Sequence, residues 1–288
     1  GIILKTLSEI GTSPDYPVQV DGHAFTLARL YQTAMLQTWA SMSGEGISPI
    51  FSSPQDMPWV LQALSAWSPP SEMSWKTIEG HTQSLDDFAI FNFAVLHHDT
   101  QPLFQTQSEG SDIRKKQEVA GQIVPVGPYN HSCGAAHALQ ASAYSVARGH
   151  GDNPQVQKGL QGHKANMFWR IGKELKLTDS FLARPDLKPQ EVDWLLVQQL
   201  KTTGHFLETM SKLSALGYYI PSADEQKILS GALSRMVDAV LKLEERGTIS
   251  KLPGLIDTDP QLFMDLVNDS AHALSGLELA LGERTVLY

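Results

Sequence analysis

Apolar residues recur at three- and four-residue steps along most of the chain, which is the periodicity of a helix with one buried face. Between residues 24 and 42 the pattern runs through Phe25, Leu30 and Trp39, and Asp21 is a candidate N-cap. Similar patterns predict helices at residues 57–67, 84–96, 133–148, 155–175, 189–216, 223–246 and 259–281. The sequence shows no strand-like alternation of any length. It therefore predicts an all-α fold.

Breaks in the periodicity predict where these helices are separated. Residues 43–54 read as a loop, and Pro102 is expected to end the third helix. Residues 105–130 are polar and irregular, with glycine and proline throughout. We expect one helical domain spanning residues 1–288, in which residues 1–70 form a smaller helical part and residues 71–288 the core.

Composition and charge exclude several classes of protein. With 42% hydrophobic and 18% charged residues in 288, the chain has the composition of a folded protein. Its formal charge of −9 and lack of any long basic run argue against nucleic acid or an anionic membrane as a partner. No apolar stretch reaches the roughly 18–20 residues of a membrane span. A single cysteine, Cys133, fits a reducing, cytoplasmic location and excludes multi-thiolate metal sites within one chain.

Several motifs that identify common enzymes are missing from the sequence. It contains no phosphate-binding GxxxxGK[ST] loop, no GxGxxG and no HExxH. The pair His98-Asp99 fits a helical metal-dependent phosphohydrolase, with His23 or His81 as the further ligand. A histidine near an ordinary helix C-terminus, where it interacts well with the helix dipole, explains the pair equally simply.

The segment around Cys133 is the most unusual local stretch. A helix N-terminus stabilises a thiolate, and His131 and His137 lie close by in sequence. Cys133 is therefore a candidate nucleophile, with one of these or another histidine as its base. The alternatives are a cysteine that packs as a small apolar residue and a loop that contacts a cofactor.

Several segments together resemble the histidine-ligated heme oxygenases around indoleamine 2,3-dioxygenase and tryptophan 2,3-dioxygenase. The similar pieces are ordered along about residues 20–220 of the chain. They are His23-Ala24-Phe25-Thr26-Leu27-Ala28-Arg29-Leu30, the helix from Met57-Pro58-Trp59 to Trp67, the Phe-rich segment 88–92, the loop 126–134, His163 and the helix that carries His205.

This resemblance implies a heme b cofactor, dioxygen as co-substrate and an indole or other aromatic amino acid or amine as substrate. By the same resemblance His205 is the axial ligand of the iron, and residues 71–288 form the heme-binding core. Phe88 and Asn92 line the distal pocket, and Arg114 pairs with a substrate carboxylate. The loop beside the heme contributes Asn130, His131 and Cys133 to cofactor binding and Ser132 to catalysis. A homo-oligomer is compatible with this family.

The family's Gly-Gly-Ser-Ala-Gly loop is replaced here by residues 127–132, and its distal serine by Asn92. Two other functions therefore stand beside the heme oxygenase. One is an enzyme that uses Cys133 as its nucleophile. The other is a helical binding protein without catalytic activity.

Overall fold

A computed structural model describes residues 2–37, 57–70, 72–76, 80–109, 116–119, 122–125 and 132–283. In these residues it contains ten α-helices: α1 (Ile2–Glu9), α2 (Leu27–Gln37), α3 (Met57–Trp67), α4 (Leu85–Glu109), α5 (Ala136–Ala147), α6 (Pro154–Leu182), α7 (Pro189–Ala215), α8 (Ala223–Glu245), α9 (Leu252–Thr258) and α10 (Pro260–Leu281). A short 3-10 turn, Ser132–Ala135, precedes α5. The molecule is mostly helical, as the sequence predicts.

Short antiparallel hairpins are the part of the fold that the periodicity missed. The three pairs are β1 (Pro17–Val20) with β2 (His23–Thr26), β3 (Ser74–Lys76) with β4 (Thr82–Ser84), and β5 (Lys116–Val119) with β6 (Gln122–Pro125). The helix predicted from residue 24 therefore begins at Leu27. Asp21 is not an N-cap but part of a turn with Gly22, since both have positive φ angles, as tight hairpin turns require.

The third predicted helix continues where a break was expected. α4 runs through Pro102 and ends at Glu109. Proline removes one backbone donor from a helix, but Leu103 and Thr106, which follow it, are both buried, and burial of this kind outweighs local propensity. The Thr100 hydroxyl also donates to the Leu96 carbonyl oxygen at 2.6 Å. Two further helices, α1 and α9, and the last turns of α6 were not predicted.

The chain divides into two compact units. Unit 1 comprises residues 1–102, 114–163 and 286–288, and unit 2 comprises residues 103–113 and 164–285. The prediction of one domain over residues 1–288 stays a prediction. In unit 1, α3 is buried along nearly its whole length and packs against α1 and α5. A central cluster of the unit 1 core contains Met57, Leu61, Leu64, Leu85, Phe88 and Ala141.

Unit 2 contains three long helices whose directions follow from their side-chain contacts. α8 is antiparallel to α7, because Gln199 donates to the Arg235 carbonyl near one end and Arg246 contacts Asp193 near the other. α10 is parallel to α7. The Trp194 indole N–H donates to Asp259 at the start of both helices, and the Ser211 hydroxyl donates to the Gly276 carbonyl near their ends.

Two glycines bring the backbones of α7 and α10 into contact. A Cβ atom on Gly204 would lie 3.0 Å from the backbone nitrogen of Ala273, and one on Gly276 would lie 2.6 Å from that of Glu208. A side chain at either position would force the helices apart. The close approach fixes which side chains of the two helices face one another.

Within the described residues, none of the helices combines the length and the apolar character needed to cross a bilayer.

Candidate functional site

Four ionisable side chains meet where α7 packs against α10. His205 and Glu208 lie three residues apart on α7, and Asp269 and His272 lie three residues apart on α10. Residues spaced by three lie on the same helix face, so each helix presents a histidine and a carboxylate together. Because the helices are parallel and in close contact, the two pairs face each other.

The distances within this cluster are short. The His272 Nδ1 and Glu208 Oε2 atoms are 2.9 Å apart, and the His205 and His272 ring centroids are 4.0 Å apart. The His205 Nε2 and Asp269 Oδ1 atoms are 3.6 Å apart. Ligand atoms from His205, Glu208 and His272 all lie within 4.8 Å of one another. We call these three residues the triad.

Burial sets the charge of the cluster. His205, Glu208 and Asp269 are each at most 4% exposed. Burial holds the pKa of His205 well below its usual value, and the neighbouring His272 lowers it further. The imidazole of His205 is therefore neutral at physiological pH. Burial also raises the pKa of Asp269 to about 6, against the opposing effect of Lys201 and His272.

Two lysines flank the carboxylates. The Lys212 Nζ atom lies 3.0 Å from Glu208 Oε1, and the Lys201 Nζ atom lies 3.9 Å from Asp269 Oδ2. A buried carboxylate is costly unless a cation or hydrogen-bond donors offset its charge, so these lysines stabilise the cluster. The Lys212 contact uses one oxygen of Glu208, and the other oxygen is the one that faces His272.

The donor set of the triad matches that of a transition-metal site. Two imidazoles and one carboxylate are the protein ligands of many iron(II) and zinc(II) centres. Ligand atoms bound at about 2.0–2.2 Å and at right angles on one ion lie about 3 Å apart, close to the observed separation of His272 Nδ1 and Glu208 Oε2. Metal binding requires a neutral imidazole, and burial keeps His205 in that form.

Phe88 and Asn92 were predicted to line a distal pocket, and both lie on α4 in unit 1. Each is fully buried. Phe88 belongs to the apolar cluster between α3 and α4. The Asn92 side-chain amide donates to the Ala138 carbonyl at 3.1 Å and to the Ser142 hydroxyl at 2.8 Å, so it ties α4 to α5. Their roles in catalysis stay predictions.

Of the other predicted site residues, the structure describes Cys133 and the backbone of Ser132, in the turn before α5. Cys133 is half-buried in the 3-10 turn, with a φ of 58° that is unusual for a residue other than glycine. Its Sγ atom lies within 4.8 Å of a ring nitrogen of the buried His137. Arg114, Asn130 and His131 lie outside the described residues, as does the side chain of Ser132.

His163, the other histidine marked by the family resemblance, lies in unit 1 on α6. Its ring meets those of Phe93 and His97 edge to face, at centroid distances of 5.7 and 5.6 Å. Burial, with a smaller effect from His97, lowers its pKa to about 3. His163 is thus a neutral histidine packed among aromatic rings.

Comparisons of the chain with protein-family models, with curated proteins and with solved structures find no match.

The sequence singled out His205 but not its partners. The spacings His205-x-x-Glu208 and Asp269-x-x-His272 are visible in the sequence, and each is a helical pair of ligand-type residues. What the sequence does not show is the register of α7 against α10, which joins the two pairs. That register depends on close contact at two glycines far apart along the chain.

Proposed function

We propose that this chain is an iron-dependent oxygenase whose iron ion is held by the triad of His205, Glu208 and His272. The observation that carries the proposal is the convergence of two imidazoles and one carboxylate within 4.8 Å. Two histidines and one carboxylate on one face of an iron(II) ion leave positions open for dioxygen and substrate. When bound, the ion supplies the oxygen chemistry, and the protein holds and orients it.

Each residue of the cluster has a defined task in this proposal. His205 binds the ion as a neutral imidazole. Glu208 would hold the ion through its carboxylate, and Lys212, 3.0 Å from Oε1, would orient that carboxylate, as neighbours of metal ligands commonly do. Asp269, 3.6 Å from the Nε2 atom of His205, restricts how that ring turns. The contact between α7 and α10 keeps the ligands of both helices in place.

The sequence resemblance implies a different iron cofactor, a heme whose axial ligand is His205. The neutral imidazole of His205 favours it, because a neutral histidine is the proximal ligand in many heme proteins. Within unit 2, however, the His205 ring is flanked by His272 and Asp269, with Glu208 one turn away. Polar and charged neighbours fit a metal ion better than an apolar macrocycle. An indole or other aromatic substrate remains part of the proposal in either form.

Metal analysis and a visible spectrum test the proposal together. The protein is freed of metal with a chelator and titrated with iron(II) under anaerobic conditions. We expect one iron per chain and no Soret band. His272→Ala should lose the iron, and His98→Ala, which changes a histidine with an 87% exposed side chain, should keep it.

Other outcomes contradict the proposal in distinct ways. A Soret band that disappears in His205→Ala but persists in His272→Ala would mean that the cofactor is heme on His205 and not an iron ion held by the triad. Tight binding of zinc without iron would point to hydrolysis rather than oxygenation. Protein that binds neither metal nor heme would leave the cluster as a purely structural network.

The Cys133 and His137 pair supports a second candidate function, a cysteine-nucleophile enzyme. The sulfur and a ring nitrogen lie within 4.8 Å, and Cys133 has a left-handed φ that costs energy in a non-glycine residue. A thiol activated by a histidine reacts with iodoacetamide at neutral pH much faster than an ordinary cysteine. Slow alkylation of Cys133 that His137→Ala leaves unchanged would exclude this candidate.

A further inference from the structure

A cavity of about 390 Å³ lies in unit 2, beside the helix pair that carries the triad. Leu207 and Gly276 contribute to its wall. Leu207 precedes Glu208 on α7, and Gly276 lies one helical turn after His272 on α10. The cavity volume falls within the range of about 300–1,000 Å³ that is typical of small-molecule sites.

The wall of the cavity is apolar and carries no charged side chain. Its apolar residues include Leu207, Met210, Leu229, Leu233 and Leu277. The polar side chains among its lining residues are hydroxyls, from three serines and Tyr219. A charged ligand would lose its hydration without gaining a counter-ion from this wall. The lining therefore selects an uncharged and mainly apolar molecule.

Tyr219 provides the observation that points to a ligand. The residue is 6% exposed, and its hydroxyl has no hydrogen-bond partner among the described residues. A buried hydroxyl without a partner costs free energy and calls for a water, an ion or a ligand as its partner. The hydroxyl oxygen is closed off in the empty cavity, so a ligand acceptor meets it only after a shift of the Tyr219 side chain, which itself lines the cavity. The ring itself is well held, with the Lys164 ammonium 4.9 Å from its centroid and the Phe168 ring 6.0 Å away.

We propose that this cavity binds an uncharged, apolar small molecule with a hydrogen-bond acceptor such as a ketone, which receives the Tyr219 hydroxyl. The role of this molecule as the substrate of the iron site rests on the proposed function. Its binding does not, because none of the triad residues lines the cavity. The inference also narrows the range of candidate substrates, since an aromatic ketone or phenol fits the apolar wall of the cavity better than a charged amino acid does.

Binding of the uncharged fluorophore N-phenyl-1-naphthylamine to metal-free protein tests occupancy of the cavity. Leu233→Trp places an indole in the cavity and should weaken binding more than about tenfold. Leu241→Trp is the matched control, because Leu241 lies on the same helix, is half-exposed and does not line the cavity. It should leave binding unchanged. Equal binding by the two variants would overturn the inference.

A matched pair of competitors tests the hydrogen bond of Tyr219. The ketone 2-acetylnaphthalene and the hydrocarbon 2-ethylnaphthalene have similar shapes, and the ketone alone carries an acceptor. Tyr219→Phe should weaken displacement by the ketone about two- to tenfold and leave the hydrocarbon unchanged. This variant removes a hydroxyl without a partner, so we expect it to fold. Equal effects on the two competitors would contradict the role of Tyr219.

Iron titration of the same variants separates this inference from the proposed function. If Leu233→Trp weakens probe binding and Leu241→Trp does not, while the wild-type protein binds no iron, the cavity is a binding site and the proposal of an iron oxygenase is wrong. If one iron per chain binds and the probe does not distinguish Leu233→Trp from Leu241→Trp, the cavity inference fails by itself.

Discussion

His163 and His205 are both buried histidines on long helices, yet their surroundings differ. Each is at most 4% exposed, and burial lowers the pKa of both. His163 is packed against the rings of Phe93 and His97. His205 faces a carboxylate and a second imidazole within a group of ligand-type atoms.

This difference shows that burial and a lowered pKa do not by themselves identify a ligand. Both properties follow from removing an imidazole from water, which a core position does as well as a functional site. What separates His205 is the number of other donors within reach of one ion. Placing carboxylates in a protein interior is costly, and a binding site is one reason for a chain to retain them there.

The largest expected effect is the loss of iron affinity in His205→Ala, compared with the same substitution at His163. His205→Ala should lower the affinity for iron(II) more than a hundredfold, since even neighbours of metal ligands contribute about 10- to 100-fold. His163→Ala should change the affinity less than about twofold, because among the described residues His163 belongs to no group of ligand-type side chains. The measurement is an anaerobic iron titration of both variants and the wild-type protein.

Equal iron affinities in the two variants would contradict this distinction between His205 and His163. Equal losses of iron would mean that the effect comes from general destabilisation, which thermal unfolding of the metal-free variants reveals. Full iron binding by His205→Ala would remove His205 from the site.

The contact between α7 and α10 can be disturbed without changing a ligand. Gly276→Ala introduces a Cβ atom 2.6 Å from the backbone nitrogen of Glu208, which backbone atoms cannot accommodate without moving. We expect a loss of about 2–3 kcal/mol in the free energy of unfolding, measured by urea denaturation, together with weaker iron binding.

Gly231→Ala on α8 is the control for this substitution. A Cβ atom at Gly231 meets nothing within 4 Å. Alanine has the higher helix propensity, so this variant should be more stable than wild type by up to about 1 kcal/mol. A lower free energy of unfolding in Gly276→Ala and a higher one in Gly231→Ala would confirm the close approach of α7 and α10. A stabilising effect of both would contradict it.

Four long stretches of helical hydrophobic periodicity predicted helices accurately. The predicted bounds of α3, α7, α8 and α10 agree with the structure to within one residue at each end. The sequence-based prediction failed for the hairpins, because strands of three or four residues, such as His23–Thr26, are too short to show alternation. It also failed at Pro102, where burial of the following residues outweighs a local helix breaker.

The candidate site was partly accessible from the sequence. His205 was identified through a family resemblance, and the spacing of Asp269 and His272 is visible on inspection. Their meeting was not predictable, since parallel α7 and α10 are separated in sequence by α8 and α9. Tyr219 was also missed, because a tyrosine that follows a helix carries no signal in the sequence until the structure shows that its hydroxyl is buried without a hydrogen-bond partner among the described residues.

The pH dependence of stability tests whether His163 is buried and neutral in the folded protein. The pKa of His163 is about 3 in the folded protein and about 6.5 when unfolded, so below pH 6.5 the unfolded chain binds a proton that the folded protein does not. Stability should therefore fall as the pH drops from 6.5 towards 3. Each pH unit costs about 1.4 kcal/mol, so the loss attributable to His163 at pH 5 is about 2 kcal/mol.

His163→Gln removes this titration and leaves the other groups in place. The free energy of unfolding, measured by urea denaturation at pH 7 and pH 5, should decrease less in the variant than in the wild-type protein. Parallel decreases would show that His163 is protonated in the folded state, or that it is not buried as described.

The smallest effect concerns the neutral buried amide that joins α4 to α5. Asn92 donates to Ser142, and its Oδ1 atom has no hydrogen-bond partner among the described residues. Asn92→Leu should cost about 1 kcal/mol, because it leaves the Ser142 hydroxyl without this donor.

The double variant Asn92→Leu with Ser142→Ala should recover part of that loss, since apolar groups then replace both partners of this hydrogen bond and only the Ala138 carbonyl still lacks the Asn92 donor. A double-mutant cycle by urea denaturation measures the coupling. Little or no coupling would mean that the Asn92 amide does not stabilise unit 1 through Ser142. A coupling of about 1 kcal/mol would instead show that this neutral pair contributes to stability, in contrast to the triad, where replacing one ligand should chiefly abolish iron binding.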